Sequence, residues 1–176
     1  MNTARVIWSA LEPHAVKTEL SKKQTIIEEG VVCDTVYFVE TGCIRSWFNQ
    51  DGKDISFQFF MQGSIITACD SLLFSEPSPF SYQALLPTTL HSMPMVDFKQ
   101  IISQSPQLQE AGFKLVSERL RHYQRLFLSR IKDTPQQRYQ ELLKTHPEII
   151  RMIPQHYIAS YLGITSVSLS RIRCRK

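Results

Sequence analysis

What this chain lacks narrows its chemistry first. Its four cysteines, Cys33, Cys43, Cys69 and Cys174, form no CxxC pair and no cluster, so they read as reduced thiols. Scattered in this way they supply neither a disulfide framework nor an iron–sulfur ligand set. No apolar run approaches the length of a membrane span, and no charged-then-apolar leader opens the sequence. A cytoplasmic protein without a membrane partner is therefore expected. Up to Met93 the histidines are His14 and His91, with no HxH pair. A metal-dependent barrel enzyme of the cupin kind needs clustered histidine and carboxylate ligands, so that reading ranks last and no metal site is expected. No Ser/His/Asp or Cys/His arrangement stands out either, and no enzymatic activity is expected.

What is present is unevenly charged. At 176 residues and 43% apolar content the chain suits one large or two small soluble domains. The net charge of +4 divides sharply: residues 119–176 hold 12 Lys and Arg against 3 Asp and Glu, while residues 1–118 hold 8 against 13. A basic last third fits a phosphate-binding surface, whose affinity would fall steeply with salt.

That third ends in IPQHYIASYLGITSVSLSRIRCRK, from Ile153 to Lys176. The spacing predicts two short helices joined by a sharp turn, Gln155 to Tyr161 and then from Ser166, with Thr165 as N-cap. Counting from Gln155, two crossed helices want apolar residues at positions four, eight, ten, fifteen and eighteen. Ile158, Leu162, Ile164, Leu169 and Ile172 fill all five. Position five must be small, and is Ala159; position nine favours glycine because the chain turns there through φ > 0, and is Gly163. Pro154 stands where a proline starts a helix without losing a bond. The pattern is a helix-turn-helix, which implies DNA as a partner.

The remaining chain reads in two parts. Residues 3–12 can form a short helix. From about Ala15 to Met93 short alternating or apolar runs are separated by turn chemistry, and NQDGKD marks a hairpin. Six or more strands predict an antiparallel β-barrel or jelly roll, followed by helices, an α+β fold. A short helix from Asp97 to Ser103 precedes a long one from Pro106 to about Ser129. On the long helix Phe113, Val116, Leu120, Tyr123 and Phe127 recur at coiled-coil spacing, so it is expected to pair with a second copy as a homodimer. KDTPQQR breaks the pattern as a hinge, and a helix from Pro135 to about Thr145 leads into the terminal motif. The expected division is residues 1–104 as a barrel domain, 105–131 as a dimerisation helix and 132–176 as the DNA-binding domain.

Barrel, long helix, hinge and terminal helix-turn-helix in this order resemble the Crp/Fnr family of bacterial transcription regulators. GCI at 42–44, DGKDISFQFFMQG at 51–63, QQRYQELL at 136–143 and IASYLGIT…SLSRIR carry the resemblance, which spans nearly the whole chain. It implies a cyclic-nucleotide-binding-type jelly-roll barrel, a homodimer and transcriptional control. RNA polymerase and an unknown small-molecule effector are its further candidate partners. As implied by the resemblance, the effector pocket is lined by Phe57, Gln58, Phe60, Thr67, Ala68 and Ser78, with Arg119 and Tyr123 from the long helix.

The resemblance breaks down at the phosphate cassette. Where nucleotide-binding members place Gly-Glu and, nine residues on, Arg-Ser or Arg-Thr, this chain has Thr67-Ala68 and Ser78-Pro79. The ribose-binding Glu and phosphate-pairing Arg are gone, and Pro79 offers no amide. Cyclic AMP and cyclic GMP are therefore not expected, although Arg45 or Arg119 could bring a charge from another direction. A constitutive DNA binder with its barrel as a protein-docking platform is the alternative reading. In the reading helix, Ser166-Val167 replace the family's usual acidic start. Arg171 is expected to read guanine, Val167 to touch at most a thymine methyl, and Ser166, Ser168 and Ser170 to serve base or phosphate. Arg173, Arg175 and Lys176 are expected on phosphates, with Gln155 or His156 anchoring the first helix. The given sequence stops after this helix, so no β-wing is expected.

Overall fold

A computed structural model describes residues 3–174. The first helix, α1 (Thr3–Leu11), turns Ala4, Ile7, Trp8 and Leu11 inward at helical spacing. Eight strands follow: β1 (Val16–Leu20), β2 (Thr25–Ile27), β3 (Thr35–Thr41), β4 (Cys43–Gln50), β5 (Lys53–Met61), β6 (Ile65–Ile66), β7 (Ser81–Ala84) and β8 (Thr88–Pro94). All pairings are antiparallel, in two four-stranded sheets ordered β1-β8-β3-β6 and β2-β7-β4-β5. The expected jelly roll is thus two open sheets rather than one closed barrel. A core including Leu20, Ile27, Val39, Ile44, Phe60, Ile66 and Leu90 joins them. Strand β3 is covered on both faces. Val39 belongs to that core, while Val36 and Phe38 pack with α1, where Trp8 stacks flat on Phe38 at 4.4 Å.

The β4–β5 hairpin follows the sequence signal. Asp51 (φ 51°) and Gly52 (φ 79°) form a two-residue turn with both φ values positive, as the twist of the flanking strands demands. Gly42, between β3 and β4, sits at φ 94°, and a Cβ there would lie 2.7 Å from the Pro87 carbonyl oxygen. Only glycine fits.

A short helix, α2 (Cys69–Phe74), interrupts the strands, and α3 (Met95–Ser103) starts two residues before Asp97. The long α4 (Pro106–Lys132) is capped by the Ser105 hydroxyl, which accepts from the Leu108 amide at 3.3 Å. It runs three residues beyond Ser129 and packs against α1 and α3. At the expected hinge Asp133 is extended, and Thr134 and Gln137 form a capping box that opens α5 (Pro135–Thr145). A further short helix, α6 (Pro147–Met152), precedes α7 (Gln155–Leu162) and α8 (Ser166–Cys174). Neither α2 nor α6 was expected; each is six residues long, too short to show helical periodicity.

Candidate nucleic-acid interface and effector pocket

The terminal motif packs as its spacing requires. Ile158, Ala159, Leu162 and Leu169 are buried in one cluster with Leu142, Ile149 and Ile153, and Ile164 packs against it. Gly163 ends α7 at φ 68°, and the Thr165 hydroxyl accepts from the Ser168 amide at 3.1 Å to start α8. With Leu169 inward, Ser166, Val167, Ser170, Arg171 and Arg173 are exposed, while Ser168 is half-buried and shares a 3.0 Å hydrogen bond with Thr165. Gln155 and His156 are exposed at the start of α7. Arg175 and Lys176 lie outside the described residues.

Two arginines hold the turn from outside the motif. Arg130, near the end of α4, donates from Nη2 to the Tyr161 carbonyl at 2.6 Å; Arg138, on α5, donates from Nε to the Leu162 carbonyl at 3.1 Å. These carbonyls belong to the last turn of α7, where cationic donors are favoured.

The helix-turn-helix is also fastened to the β4–β5 hairpin. Arg45, which could have brought charge to the pocket, instead lies on the outer side of β4 and is fully buried. Strand alternation accounts for this: its neighbour Ile44 takes the inner core, and Cys43 packs in the outer cluster with the helix-turn-helix. The Arg45 guanidinium lies 4.0 Å from the Tyr157 ring centroid and 5.0 Å from that of Trp47. Its Nη1 donates to Ser56 and its Nη2 to Asp54, both at 3.3 Å. Desolvation pulls its pKa below the usual arginine value, opposed by Tyr157 and Asp54. Beside it, the Ser160 hydroxyl accepts from the Ser56 amide at 2.9 Å and donates to the Asp54 carbonyl at 3.1 Å. Sequence reading missed this junction, because an arginine on an alternating strand looks like a solvated residue.

The expected pocket residues fall into two groups. A bulge on β5 between the Ser46–Gln58 and Trp47–Ser56 pairs leaves Phe57 unpaired and places it and Gln58 beside α4. Phe57 stacks on Phe80 at 4.4 Å and meets Tyr123 at 5.4 Å, and the Tyr123 hydroxyl donates to Gln58 Oε1 at 2.6 Å. Tyr123 is thus turned to the β-sheet, unlike Phe113, Val116, Leu120 and Phe127, which are exposed on α4. The second group surrounds Phe60. The Arg119 guanidinium lies 5.1 Å from its ring centroid and donates to the Ile65 carbonyl at 3.1 Å, while Tyr82 meets the same ring at 5.8 Å. Burial raises the Tyr82 pKa above the ordinary tyrosine value. Ala68 and Ser78 are buried. The Ser78 amide donates to the Val31 carbonyl at 2.9 Å, and its hydroxyl to the Phe80 carbonyl at 2.7 Å. Thr67 Oγ1 is buried without a hydrogen-bond partner among the described residues. Phe80 and Tyr82 were missed; Phe80 directly follows Pro79 in the altered cassette.

The four cysteines are free, and burial pushes the Cys43 thiol up to about 12. Among the described residues, no group of three or more His, Cys, Asp and Glu side chains could hold a metal ion, and no helix is long and apolar enough to cross a membrane.

A nucleotide-binding-type jelly roll, a long helix and a helix-turn-helix define the architecture of a Crp/Fnr-type transcription regulator. The chain belongs to the cyclic nucleotide-binding domain family, matched over residues 17–105. It is 23% identical over 167 residues to the transcriptional activator protein Anr of Pseudomonas protegens, covering 89% of this chain and 68% of that one. Its fold is similar to that of FixK2 from Bradyrhizobium japonicum, with TM-score 0.78, 20% identity and coverage of 90% and 82%. A crp/fnr-family putative transcriptional regulator from Eubacterium rectale matches with TM-score 0.73, 16% identity and coverage of 95% and 80%.

Proposed function

We propose that the protein is a sequence-specific DNA-binding transcription regulator that acts as a homodimer. The observation that carries this reading is the terminal motif: a packed helix-turn-helix whose second helix leaves Arg171, Arg173 and three further polar or small side chains exposed in a basic third of the chain. In this reading Arg171 forks onto guanine O6 and N7, and Arg173 neutralises phosphate. Gln155 and His156 anchor α7 on the backbone.

The dimer forms along α4. Phe113, Val116, Leu120 and Phe127, joined by Ile131, make an apolar stripe at heptad-like spacing, with Phe113 76% and Phe127 66% exposed. Two copies paired there would present two reading helices to half-sites about one helical turn apart.

The jelly roll acts as the sensor, but cyclic AMP and cyclic GMP are not its ligands. Support comes from the altered cassette: the Ser78 amide and hydroxyl are already bonded within the chain, Pro79 has no amide, and Arg119 already donates one nitrogen to Ile65. The effector, if it occupies this pocket, meets mostly aromatic walls. Comparing Arg171→Ala with Arg173→Ala on selected and random duplexes tests the division of labour. The first should lose about 1–3 kcal/mol on the selected site alone. The second should weaken both duplexes alike and flatten the salt dependence. Equal losses for both variants on both DNAs would contradict it.

A further inference from the structure

Between the second half of α4, α5 and the end of α7 lies a cavity of about 220 Å³. Its walls include Arg125, Arg130, Arg138, His122 and His146, with Glu141 as the one carboxylate lining it. Three arginines against one glutamate leave a formal charge of +2 with both imidazoles neutral. Among the described residues, none of the three arginines has a carboxylate within ion-pair distance. Arg130 and Arg138 each commit side-chain nitrogens to backbone carbonyls, but among the described residues Arg130 Nη1, Arg138 Nη2 and the Arg125 side chain make no hydrogen bond. His122 also lacks a hydrogen bond. Its pKa is lowered first by desolvation and then by His146, Arg119 and Arg125. A net positive charge is therefore gathered around a partly enclosed space, with Glu141 in its lining and Glu148 3.2 Å from His146 as the nearby carboxylates, an arrangement that favours an anion.

The dimensions restrict the class of anion. Sites for drug-sized ligands run from roughly 300 Å³ upward, so this cavity suits something smaller. Guanidinium forks match tetrahedral oxyanions, and a double negative charge balances the lining. We propose that this cavity binds a small phosphate-class dianion, held by Arg125 together with the uncommitted nitrogens of Arg130 and Arg138. The site stands on the geometry of α4, α5 and α7 alone, whatever DNA the reader recognises. Occupancy ties the end of α4 to α5 and to the turn of the helix-turn-helix across the extended Asp133, so the ligand favours whichever arrangement of sensor and reader keeps the cavity formed.

The test is isothermal titration of the full chain with inorganic phosphate at constant ionic strength, alongside Arg125→Gln. The Arg125 side chain is exposed and makes no hydrogen bond among the described residues, so this variant should keep the fold, checked by its unfolding curve. Wild type should bind saturably at one site per chain, and Arg125→Gln at least tenfold more weakly. The ring-proton titration of His122 by NMR should move to higher pH when phosphate is present. Non-saturable uptake, equal binding by the variant or an unmoved His122 would overturn the proposal. Repeating the titration on the chain saturated with random-sequence duplex separates a free anion from a DNA phosphate. Retained phosphate binding supports the free anion. Loss of it, with weaker random-DNA binding by Arg125→Gln, assigns the site to DNA and overturns the proposal.

Discussion

Replacing Tyr157 by alanine should loosen the helix-turn-helix from the β4–β5 hairpin. The Arg45 guanidinium has Tyr157 at 4.0 Å and Trp47 at 5.0 Å, and Arg45 is 0% exposed. A desolvated cation–π contact is worth about 2 kcal/mol, against about 0.5–1 kcal/mol at an exposed site. Removing the ring forfeits that contact, but water can then reach the guanidinium and recover part of the loss. The pair Ser56–Asp54 and the two Ser160 hydrogen bonds remain. The net coupling expected between Arg45 and Tyr157 is therefore about 1–2 kcal/mol, or roughly 5–30-fold in an equilibrium constant. A double-mutant cycle of Arg45→Met and Tyr157→Ala, read by urea unfolding of the full chain, isolates that term. Methionine keeps the length of the side chain and removes the charge. Additive single effects, within about 0.3 kcal/mol, would mean that the ring merely covers Arg45 and that the stacking argument is wrong.

Two further outcomes are expected. Gly163→Ala should destabilise the helix-turn-helix by about 1–2 kcal/mol, since φ 68° disfavours any Cβ and the new atom would lie 2.9 Å from Arg130 Nη1. Arg130→Ala removes the clash but also the hydrogen bond to the Tyr161 carbonyl, so the double variant should lose less stability, by thermal unfolding, than the sum of the two single variants. His122 has a folded-state pKa below its ordinary 6.5, because burial and neighbouring positive groups resist its protonation. The unfolded chain thus takes up the proton more readily, and the contribution of neutral His122 is complete above about pH 6.5 and is lost as pH falls through the depressed folded value. Unfolding curves across that range should show His122→Gln with a smaller loss of stability than wild type.

Elements governed by local rules were legible in the sequence. The helix-turn-helix was readable because six side chains and one positive-φ glycine must recur in a fixed frame. The β4–β5 turn was readable because Asp-Gly suits two positive φ values. The capping box at Thr134 lay within the stretch marked as a hinge. Long-range packing was less visible. Tyr123 fits both a heptad seam and a pocket wall by spacing, and its hydrogen bond to Gln58, 65 residues away, decides its side. Arg45 carries no local sign that Tyr157 will cover it. The bulge at Phe57 shifts the alternation of β5 by one residue, which moves Phe57 and Gln58 together toward α4. The basic cavity draws on α4, α5 and α7, so charge counting found its sign and not its place.

The most direct test of the account is selection of a random-sequence DNA pool by the purified protein at physiological salt, followed by sequencing. A two-fold symmetric site with half-sites about one helical turn apart is the predicted result, and Arg171→Ala should relax preference at one base of each half-site. Recovery of a single unpaired half-site would contradict the α4 dimer. Salt-sensitive retention with no sequence enriched would contradict the assignment of α8 as a reader of bases.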